Sequence, residues 1–138
     1  ISPSKNGYKN NKIFIAMPYS PVLQAENIWN EVLKPTIQNL NMIPVRIDKQ
    51  LGTEIIMNQV FSDILTSKVF VADLSTNNVN VAYETGLAHA LGIPCILLID
   101  KSSEIPFNLS RMLIIRYDQN NLEEFSENFG KALKEKLS

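Results

Sequence analysis

The chain has 138 residues, of which 45% are hydrophobic and 20% charged, a composition typical of one globular domain. Its 13 Lys and Arg against 14 Asp and Glu give a net charge of -1, so no strong positive field exists to hold a nucleic-acid polymer or an anionic membrane. The single cysteine excludes an internal disulfide and fits a reducing, cytoplasmic compartment.

The ends of the chain bear on its domain organisation. Residues 1–11 are polar and contain Pro, Gly and Asn, which predicts a leader or linker before a single α/β domain over 12–138. No apolar run approaches the roughly 20 residues of a spanning helix, and no signal-peptide pattern opens the chain. Because the first residue is Ile1 and not Met, we expect the sequence to be part of a longer protein.

Short apolar runs of β-type residues alternate with segments of helical period along the rest of the chain. The predicted strands are 12–18, 42–48, 68–74, 94–100 and 113–118. The first, third and fourth are almost continuously apolar, as expected of parallel strands that are covered on both faces. The predicted helices are 22–40, 53–66, 80–91 and 121–137, with Pro35 as a kink or late break in the first and Asn80 as the N-cap of the third.

This order of elements predicts the fold. Strands joined by right-handed helical crossovers form a parallel sheet with helices on both faces. We expect a flavodoxin-like, three-layer α/β/α sandwich whose five parallel strands lie in the order 2-1-3-4-5.

Ligands of such sheets bind beyond the carboxyl ends of the strands, at the point where the strand order reverses. Here that point lies between the loops after the first and third strands. The polar and flanking residues of these two segments are the predicted substrate-binding residues, namely Met17, Pro18, Tyr19, Ser20, Ser75, Asn78, Asn80 and Tyr83.

Glu84 is the main catalytic candidate. With Asn80 as N-cap, Glu84 would end the first turn of the helix, where the helix dipole favours the ionised carboxylate that a nucleophile needs. The alternative is that an acid in a first turn is ordinary helix design. Gly86 costs about 1 kcal/mol relative to Ala inside a helix. It therefore predicts either a close approach to the backbone or tight packing of the helix on the sheet.

Asp73 is the second catalytic candidate because it ends a buried strand, where a carboxylate is costly unless it is paired or functional. It could contact a base or sugar or share a proton, and the alternative is that it caps its own loop. Arg46, Arg111 and Arg116 are possible phosphate partners that the spacing does not distinguish. His89 and Cys95 are expected to be surface or packing residues.

Several classes of site are excluded by missing motifs. The chain has no G-x-G-x-x-G after the first strand, no P-loop, no H-E-x-x-H and no G-x-S-x-G. Asp73 and Glu84 have the spacing of positions 1 and 12 of an EF-hand loop, but Asn78 stands where that loop needs Gly. We expect no metal and no cofactor.

The run VADLSTNNVNVAYETGLAHALGIPCILLI at 71–99, with KIFIAMPYS upstream and PVRID between them, resembles the nucleoside 2-deoxyribosyltransferase-like superfamily. That group includes nucleoside deoxyribosyltransferases and nucleotide N-glycosidases and is related to TIR-type domains. The resemblance implies cleavage of an N-glycosidic bond, with Glu84 as the nucleophile, Asp73 near the base or sugar, and Asn78 near the sugar or 5′ group. The first loop departs from the family's G-S-I-R phosphate-binding form, which weakens the expectation of a 5′-monophosphate.

The implied mechanism is that of a retaining glycosidase, in which a glycosyl-enzyme is resolved by water or by a second base. Asp73 is the candidate for protonating the departing base. Three hypotheses follow. The chain is an enzyme acting on a nucleoside or nucleotide, a TIR-like NAD-cleaving effector domain of a larger defence protein, or a non-catalytic nucleotide-binding module. By resemblance we also expect a homo-oligomer.

Overall fold

The structure, a computed structural model, describes residues 11–17, 23–47, 54–76, 78–104 and 112–138. Its sheet confirms the predicted topology, since five parallel strands lie in the order β2-β1-β3-β4-β5. The strands are β1 Lys12–Ala16, β2 Ile43–Val45, β3 Val69–Asp73, β4 Cys95–Asp100 and β5 Ile114–Tyr117. Each lies inside its predicted run.

The helices also follow the predicted segments. A helical segment over 23–39 consists of α1 Leu23–Ile28, a π-helix Trp29–Leu33 and α2 Lys34–Asn39. The others are α3 Glu54–Leu65, α4 Val79–Ala90 and α5 Leu122–Leu137. None of the helices in the described ranges is long and apolar enough to cross a bilayer.

The predicted irregularity at Pro35 takes the form of the π-helix that precedes it. The N–H of Lys34 donates to the carbonyl of Trp29, five residues back, which is the wide π-type hydrogen bond. Pro35 lies in the first turn of α2, where its missing N–H costs least. The chain therefore continues as a helix to Asn39 and does not break at the proline.

Two hydrophobic cores cover the two faces of the sheet. Ile13, Ile15, Val69 and Val71 pack under α1, the π-helix, α2 and α5, on what we call the α1/α5 face. The alternate strand residues Phe14, Ala16, Phe70, Ala72 and Leu97 pack under α3 and α4, on the α3/α4 face. Strand residues point alternately to opposite faces, so this division explains why β1, β3 and β4 are almost continuously apolar.

A pair of Leu→Ala substitutions tests the core. Leu97 is fully buried in β4, whereas Leu65 at the end of α3 is 48% exposed. Leu97→Ala should lower the free energy of unfolding by about 2–5 kcal/mol because it leaves a cavity. Leu65→Ala should change it by less than about 1 kcal/mol. Urea denaturation measures both, and equal losses would contradict the described burial.

Candidate active site

The switch point of the sheet lies between β1 and β3. These strands are neighbours with Ala16 level with Ala72, yet the chain leaves β1 towards α1 on one face and leaves β3 towards α4 on the other. An opening between the two loops follows from this geometry. Met17 is buried in the core of the α1/α5 face, and Pro18, Tyr19 and Ser20 lie outside the described residues.

The N-cap of α4 is Asn78, not the predicted Asn80. Asn78 has an extended backbone, and its side-chain oxygen accepts a hydrogen bond of 3.1 Å from the N–H of Val81. Helix α4 therefore begins at Val79, one residue before the predicted start, and Asn80 is exposed in its first turn. Asn residues at 77, 78 and 80 offer the same capping chemistry, so only the path of the loop decides which one is used.

Glu84 is buried and faces the sheet. Its exposed fraction is 2%, and it belongs to the buried row of α4 formed by Val81, Glu84, Thr85 and Ala88. Two members of that row, Val81 and Ala88, pack in the core of the α3/α4 face. Burying a carboxylate is expensive unless it is paired or functional, so this position needs an explanation beyond helix design.

The shifted N-cap changes the electrostatic argument for Glu84. The first turn of α4 contains no acidic residue, so Glu84 lies in the second turn and not at the end of the first. The field of the helix dipole falls off within the first turn, and its support for an ionised Glu84 is weaker than predicted.

The sheet has its smallest side chains near this end of α4. Ala16 and Ala72 are register partners close to the carboxyl ends of β1 and β3, and both belong to the core of the α3/α4 face. Helix α4 packs across β3 and also contacts β1 and β4. The two methyl groups leave more space between helix and sheet there than the larger residues further down the strands.

The outer surface of α4 carries Tyr83 and Gly86. Tyr83 is 59% exposed and lies near Val79, on the side of the helix away from the row that contains Glu84. A Cβ built on Gly86 meets nothing within 4 Å. The described atoms therefore show no tight helix–sheet packing at Gly86, so that expectation was wrong, and the close approach that this glycine also predicts stays a prediction.

Asp73 is held by three donors at the carboxyl end of β3. One carboxylate oxygen accepts from the N–H of Ser75 at 2.9 Å and from its hydroxyl at 2.6 Å. The other accepts from the hydroxyl of Tyr117 at 2.8 Å. Ser75 accepts in turn from the N–H of Asp100 at 2.8 Å, so the network joins the ends of β3, β4 and β5. The predicted alternative, in which Asp73 caps its own loop, is realised by the bonds to Ser75.

The environment of Asp73 favours its protonated form. Burial raises the pKa of the Asp73 carboxyl above its usual range and Asp100 adds to the rise, while the bonds from Ser75 and Tyr117 act in the opposite direction. Strand alternation places Asp73 with Val69 and Val71 on the α1/α5 face. Asp73 and Glu84 therefore lie on opposite faces of the sheet.

Tyr117 is the residue that the sequence analysis missed. It ends β5, is 3% exposed, and its ring stacks on Phe125 of α5 with centroids 4.5 Å apart. Burial, with the nearby Asp73 carboxylate, raises the pKa of the Tyr117 hydroxyl, which therefore remains a donor at neutral pH. The available signal was a tyrosine at the carboxyl end of the last strand, but that strand is two places away from β3 in the sheet.

The three candidate phosphate partners differ in their surroundings. Arg46 is buried, forms two bonds of 2.8 and 3.3 Å with Glu26, and lies over the ring of Trp29. Arg116 is exposed and donates to the carbonyls of Lys101 and Ser103. Arg111 lies outside the described residues.

The other titratable candidates lie as expected. His89 is exposed near the end of α4. Cys95 is buried, and burial raises the pKa of its thiol to about 11, which suits a packing residue and not a reactive one. Within the described ranges, no three His, Cys, Asp or Glu side chains are grouped so that they could hold a metal ion.

A separate groove of about 490 Å³ lies on the α1/α5 face, between the end of α2 and α5. It is lined by Thr36, Asn39, Leu40, Ser126, Glu127, Gly130, Lys131 and Lys134. Because α2 runs antiparallel to the strands and ends near Leu40, this groove is towards the amino edge of the sheet. It is therefore remote from Asp73 and from the start of α4.

The strand order and the helices on both faces define a flavodoxin-like α/β fold, and solved structures share it. One is the 2-deoxyribosyltransferase of Bacillus psychrosaccharolyticus, with a TM-score of 0.64, 16% identity, and coverage of 81% of this chain and 90% of that one. A second is the TIR domain of a Toll-related receptor from Hydra magnipapillata, with a TM-score of 0.64, 15% identity, and coverage of 88% and 97%.

A third similar structure is the CMP N-glycosidase BcmB of Clostridium botulinum, with a TM-score of 0.64, 14% identity, and coverage of 86% of this chain and 97% of that one. No protein-family model and no curated protein sequence matches the chain. At 14–16% identity these similarities show a shared fold. This fold is the one expected from the superfamily that the sequence resembles.

The raised pKa of Asp73 predicts how stability depends on pH. In the unfolded chain Asp73 titrates near its ordinary pKa of 3.8, whereas the folded protein holds the proton to higher pH. The folded state therefore binds more protons in this window, and this carboxyl destabilises it progressively as the pH rises. The free energy of unfolding of Asp73→Asn, minus that of the wild type, should increase as the pH rises above about 5.

Asp118→Asn provides the control for this pH experiment. The N–H of Asn120 and the Lys101 ammonium lower the pKa of the exposed Asp118, which thus stays ionised over the whole range. In urea unfolding at the same pH values, the difference in free energy of unfolding between Asp118→Asn and the wild type should be constant. A constant difference for Asp73→Asn as well would show that Asp73 titrates normally in the folded protein.

Proposed function

We propose that this protein cleaves the N-glycosidic bond of a nucleoside or nucleotide, by hydrolysis or by base transfer. The observation that supports it most directly is the burial of Glu84 on the sheet-facing side of α4, the helix that follows the switch-point strand β3. The folds shared with a 2-deoxyribosyltransferase and a CMP N-glycosidase support the same class of reaction.

In the proposed mechanism Glu84 is the nucleophile. Its carboxylate attacks C1 of the pentose while the bond from C1 to the base nitrogen breaks, and the bonding electrons leave with the base. The product is a glycosyl ester on Glu84. Water or the nitrogen of a second base then attacks C1, which releases the carboxylate and gives a free sugar or a new nucleoside.

Asp73 is proposed to protonate the departing base. Its raised pKa suits a proton donor, and its place at the end of β3 puts it at the carboxyl edge of the sheet. Both of its oxygens are hydrogen-bonded, to Ser75 and to Tyr117, so donation to a base requires one bond to be exchanged.

The remaining predicted site residues are proposed to bind substrate from the two loops at the switch point. Met17, Pro18, Tyr19 and Ser20 follow β1, Ser75 and Asn78 follow β3, and Asn80 and Tyr83 lie on α4. Tyr83 and Val79 expose large parts of their side chains, which is consistent with the homo-oligomer and the covering partner subunit that we also propose. We further propose a cytoplasmic location.

The second candidate is cleavage of NAD by a TIR-like effector domain of a larger protein. The network around Asp73 favours it, because nicotinamide departs as a neutral molecule and needs no proton from a carboxyl whose oxygens are already engaged. The fold shared with a TIR domain is consistent with it. The third candidate function is that of a non-catalytic nucleotide-binding module.

Glu84→Gln separates the enzymes from the binding module. Purified protein is incubated with nucleosides, 5′-monophosphates, nicotinamide riboside and NAD, and the released base is measured by chromatography. Because Gln cannot form the ester, turnover should fall at least about a thousandfold. Glu31→Gln, at an exposed glutamate, is the matched control and should keep wild-type turnover. Full activity of Glu84→Gln would remove Glu84 as the nucleophile, and a wild type without turnover would favour the binding module.

Asp73→Asn separates the two enzymatic candidates through the leaving group. If Asp73 protonates the base, this variant should lose about 10²- to 10⁴-fold in kcat on a nucleoside whose base is uncharged. Nicotinamide riboside needs no acid and should be cleaved at nearly the wild-type rate. Equal losses on both substrates would assign Asp73 a purely structural role.

A further inference from the structure

The carboxyl of Asp73 and two hydroxyl groups form a closed ring at the end of β3. The hydroxyl of Ser75 donates to Oδ1 of Asp73 at 2.6 Å, and the hydroxyl of Tyr117 donates to Oδ2 at 2.8 Å. The two hydroxyl oxygens lie 3.1 Å apart, which is within hydrogen-bond distance. Each of the three side chains therefore contacts the other two.

The two carboxyl oxygens of Asp73 differ in their capacity to carry a proton. Oδ1 accepts from both the N–H and the hydroxyl of Ser75, at 2.9 and 2.6 Å, so a proton on Oδ1 would displace a donor. Among the described residues, Oδ2 has one hydrogen-bond partner, the hydroxyl of Tyr117. A hydroxyl accepts as well as donates, so it can receive a bond from a protonated Oδ2. A proton on Asp73 is therefore best held on Oδ2.

The ring is bonded in both charge states of Asp73. When Asp73 is ionised, both hydroxyls donate to the carboxylate. When Asp73 is protonated, Oδ2–H donates to Tyr117, the Tyr117 hydroxyl turns to donate to Ser75, and Ser75 still donates to Oδ1. Only hydroxyl hydrogens change direction, and the 3.1 Å contact becomes a hydrogen bond. The carboxyl can thus gain or lose a proton without leaving a buried polar group unsatisfied.

Packing holds the Tyr117 hydroxyl in this ring. The side chain of Tyr117 is buried, and its aromatic ring stacks on Phe125 of α5. Tyr117 is level with Asp100 in the pairing of β4 with β5, and the N–H of Asp100 donates to the hydroxyl oxygen of Ser75 at 2.8 Å. The backbone of β4 and the core under α5 therefore fix both hydroxyl oxygens, while their hydrogens can turn.

Asp100 is the charged neighbour of this ring. Its negative charge adds to burial in raising the pKa of the Asp73 carboxyl and that of the Tyr117 hydroxyl. Lys101, the next residue, forms an ion pair with Asp118. In the described part of the chain no cation pairs with Asp73, so its ionised form depends on neutral donors.

We infer that Tyr117 is a positioning residue for the acid step, because its turning hydroxyl lets Asp73 hold a proton on Oδ2 and release it to the departing base. The inference rests on the proposed function, whose proton donor it explains. The proton leaves Oδ2 for the base nitrogen, which keeps the electron pair of the broken bond to C1. The Tyr117 hydroxyl then turns from Ser75 to Oδ2 and stabilises the carboxylate that remains. Tyr117 keeps its own proton throughout.

Tyr117→Phe is the test variant, since Phe keeps the ring stacked on Phe125 and removes only the hydroxyl. Ionised Asp73 loses a donor and protonated Asp73 loses an acceptor, and the bond to the charged form is the stronger one. The affinity of Asp73 for its proton should therefore rise about tenfold. Carbon-13 NMR of the Asp73 carboxyl against pH measures it, with Asp73→Asn to identify the signal.

Ser102→Ala is the matched control. Asp100 accepts from the N–H and the hydroxyl of Ser102 at 2.8 and 2.6 Å, as Asp73 does from Ser75. The substitution removes a hydroxyl from a neighbouring carboxylate and should leave the proton affinity of Asp73 within about twofold of wild type. A rise equal to that of Tyr117→Phe would overturn the inference. If Tyr117→Phe does not fold, Ser75→Ala opens the ring from its other side and should also raise the affinity.

The pH dependence of kcat gives a readout that a purely structural role of Tyr117 would not move. On a nucleoside with an uncharged base, the decline of kcat at high pH should move to higher pH in Tyr117→Phe, because Asp73 keeps its proton longer. Below that decline kcat should fall by up to about tenfold, since a weaker acid donates more slowly. Nicotinamide riboside needs no acid, and its kcat should stay within about twofold of wild type. Equal losses on both substrates, with the decline in place, would overturn the inference.

The NMR titration distinguishes failure of this inference from failure of the proposed function. If the wild type cleaves neither substrate, the proposed function fails, and a tenfold rise in proton affinity would still show that Tyr117 positions the proton of Asp73. An unchanged or lower affinity in Tyr117→Phe would overturn the inference whether or not the enzyme is active. In an active enzyme, a raised affinity without movement of the kcat profile would refute the acid step.

Discussion

The pairing of β1 with β3 at the centre of the sheet is the constraint on which the other features depend. Strand β2 lies on one side of β1 and β3 lies on the other. Because the crossovers are right-handed, the chain leaves β1 and β3 towards opposite faces of the sheet. This divergence places Glu84 on the α3/α4 face of the sheet and Asp73 on the α1/α5 face. A sheet wound in one direction only would bring both loops over the same face and would close the opening between them.

Sequence reasoning recovered the sheet because its signal is strong and local. In runs such as 68–74 every buried position except Asp73 is apolar, and alternation with helical periods leaves few topologies. The N-cap of α4 was misassigned because Asn78 and Asn80 are chemically identical and differ only in the path of the loop. The Tyr117–Asp73 bond was missed because it joins strands that are neighbours of β4 but 44 residues apart in the chain.

Charge compensation is the common theme of the polar groups at this edge. Asp73 is surrounded by donors and Arg46 is held by Glu26, so these two buried groups are fixed by their neighbours. Fixed groups of this kind are preorganised, although proton donation by Asp73 would still require one of its hydrogen bonds to be exchanged. The same fold serves both a deoxyribosyltransferase and a receptor TIR domain, so the functional argument depends on these side chains and not on the architecture.

The position of Glu26 relative to Arg46 depends on the π-helix Trp29–Leu33, which lies in the same helical segment as Glu26. Ile28 and Ile37 are both buried in one core, yet nine residues of regular α-helix would set them half a turn apart. The π-helix contains one more residue per turn, and this rotation allows Ile28 and Ile37 both to face the sheet. Without its additional residue, either Ile37 or the upstream turn with Glu26 would rotate away, and the acid would no longer meet its guanidinium. The ion pair between Glu26 and Arg46 thus depends partly on the pitch of a helix and not only on the two side chains.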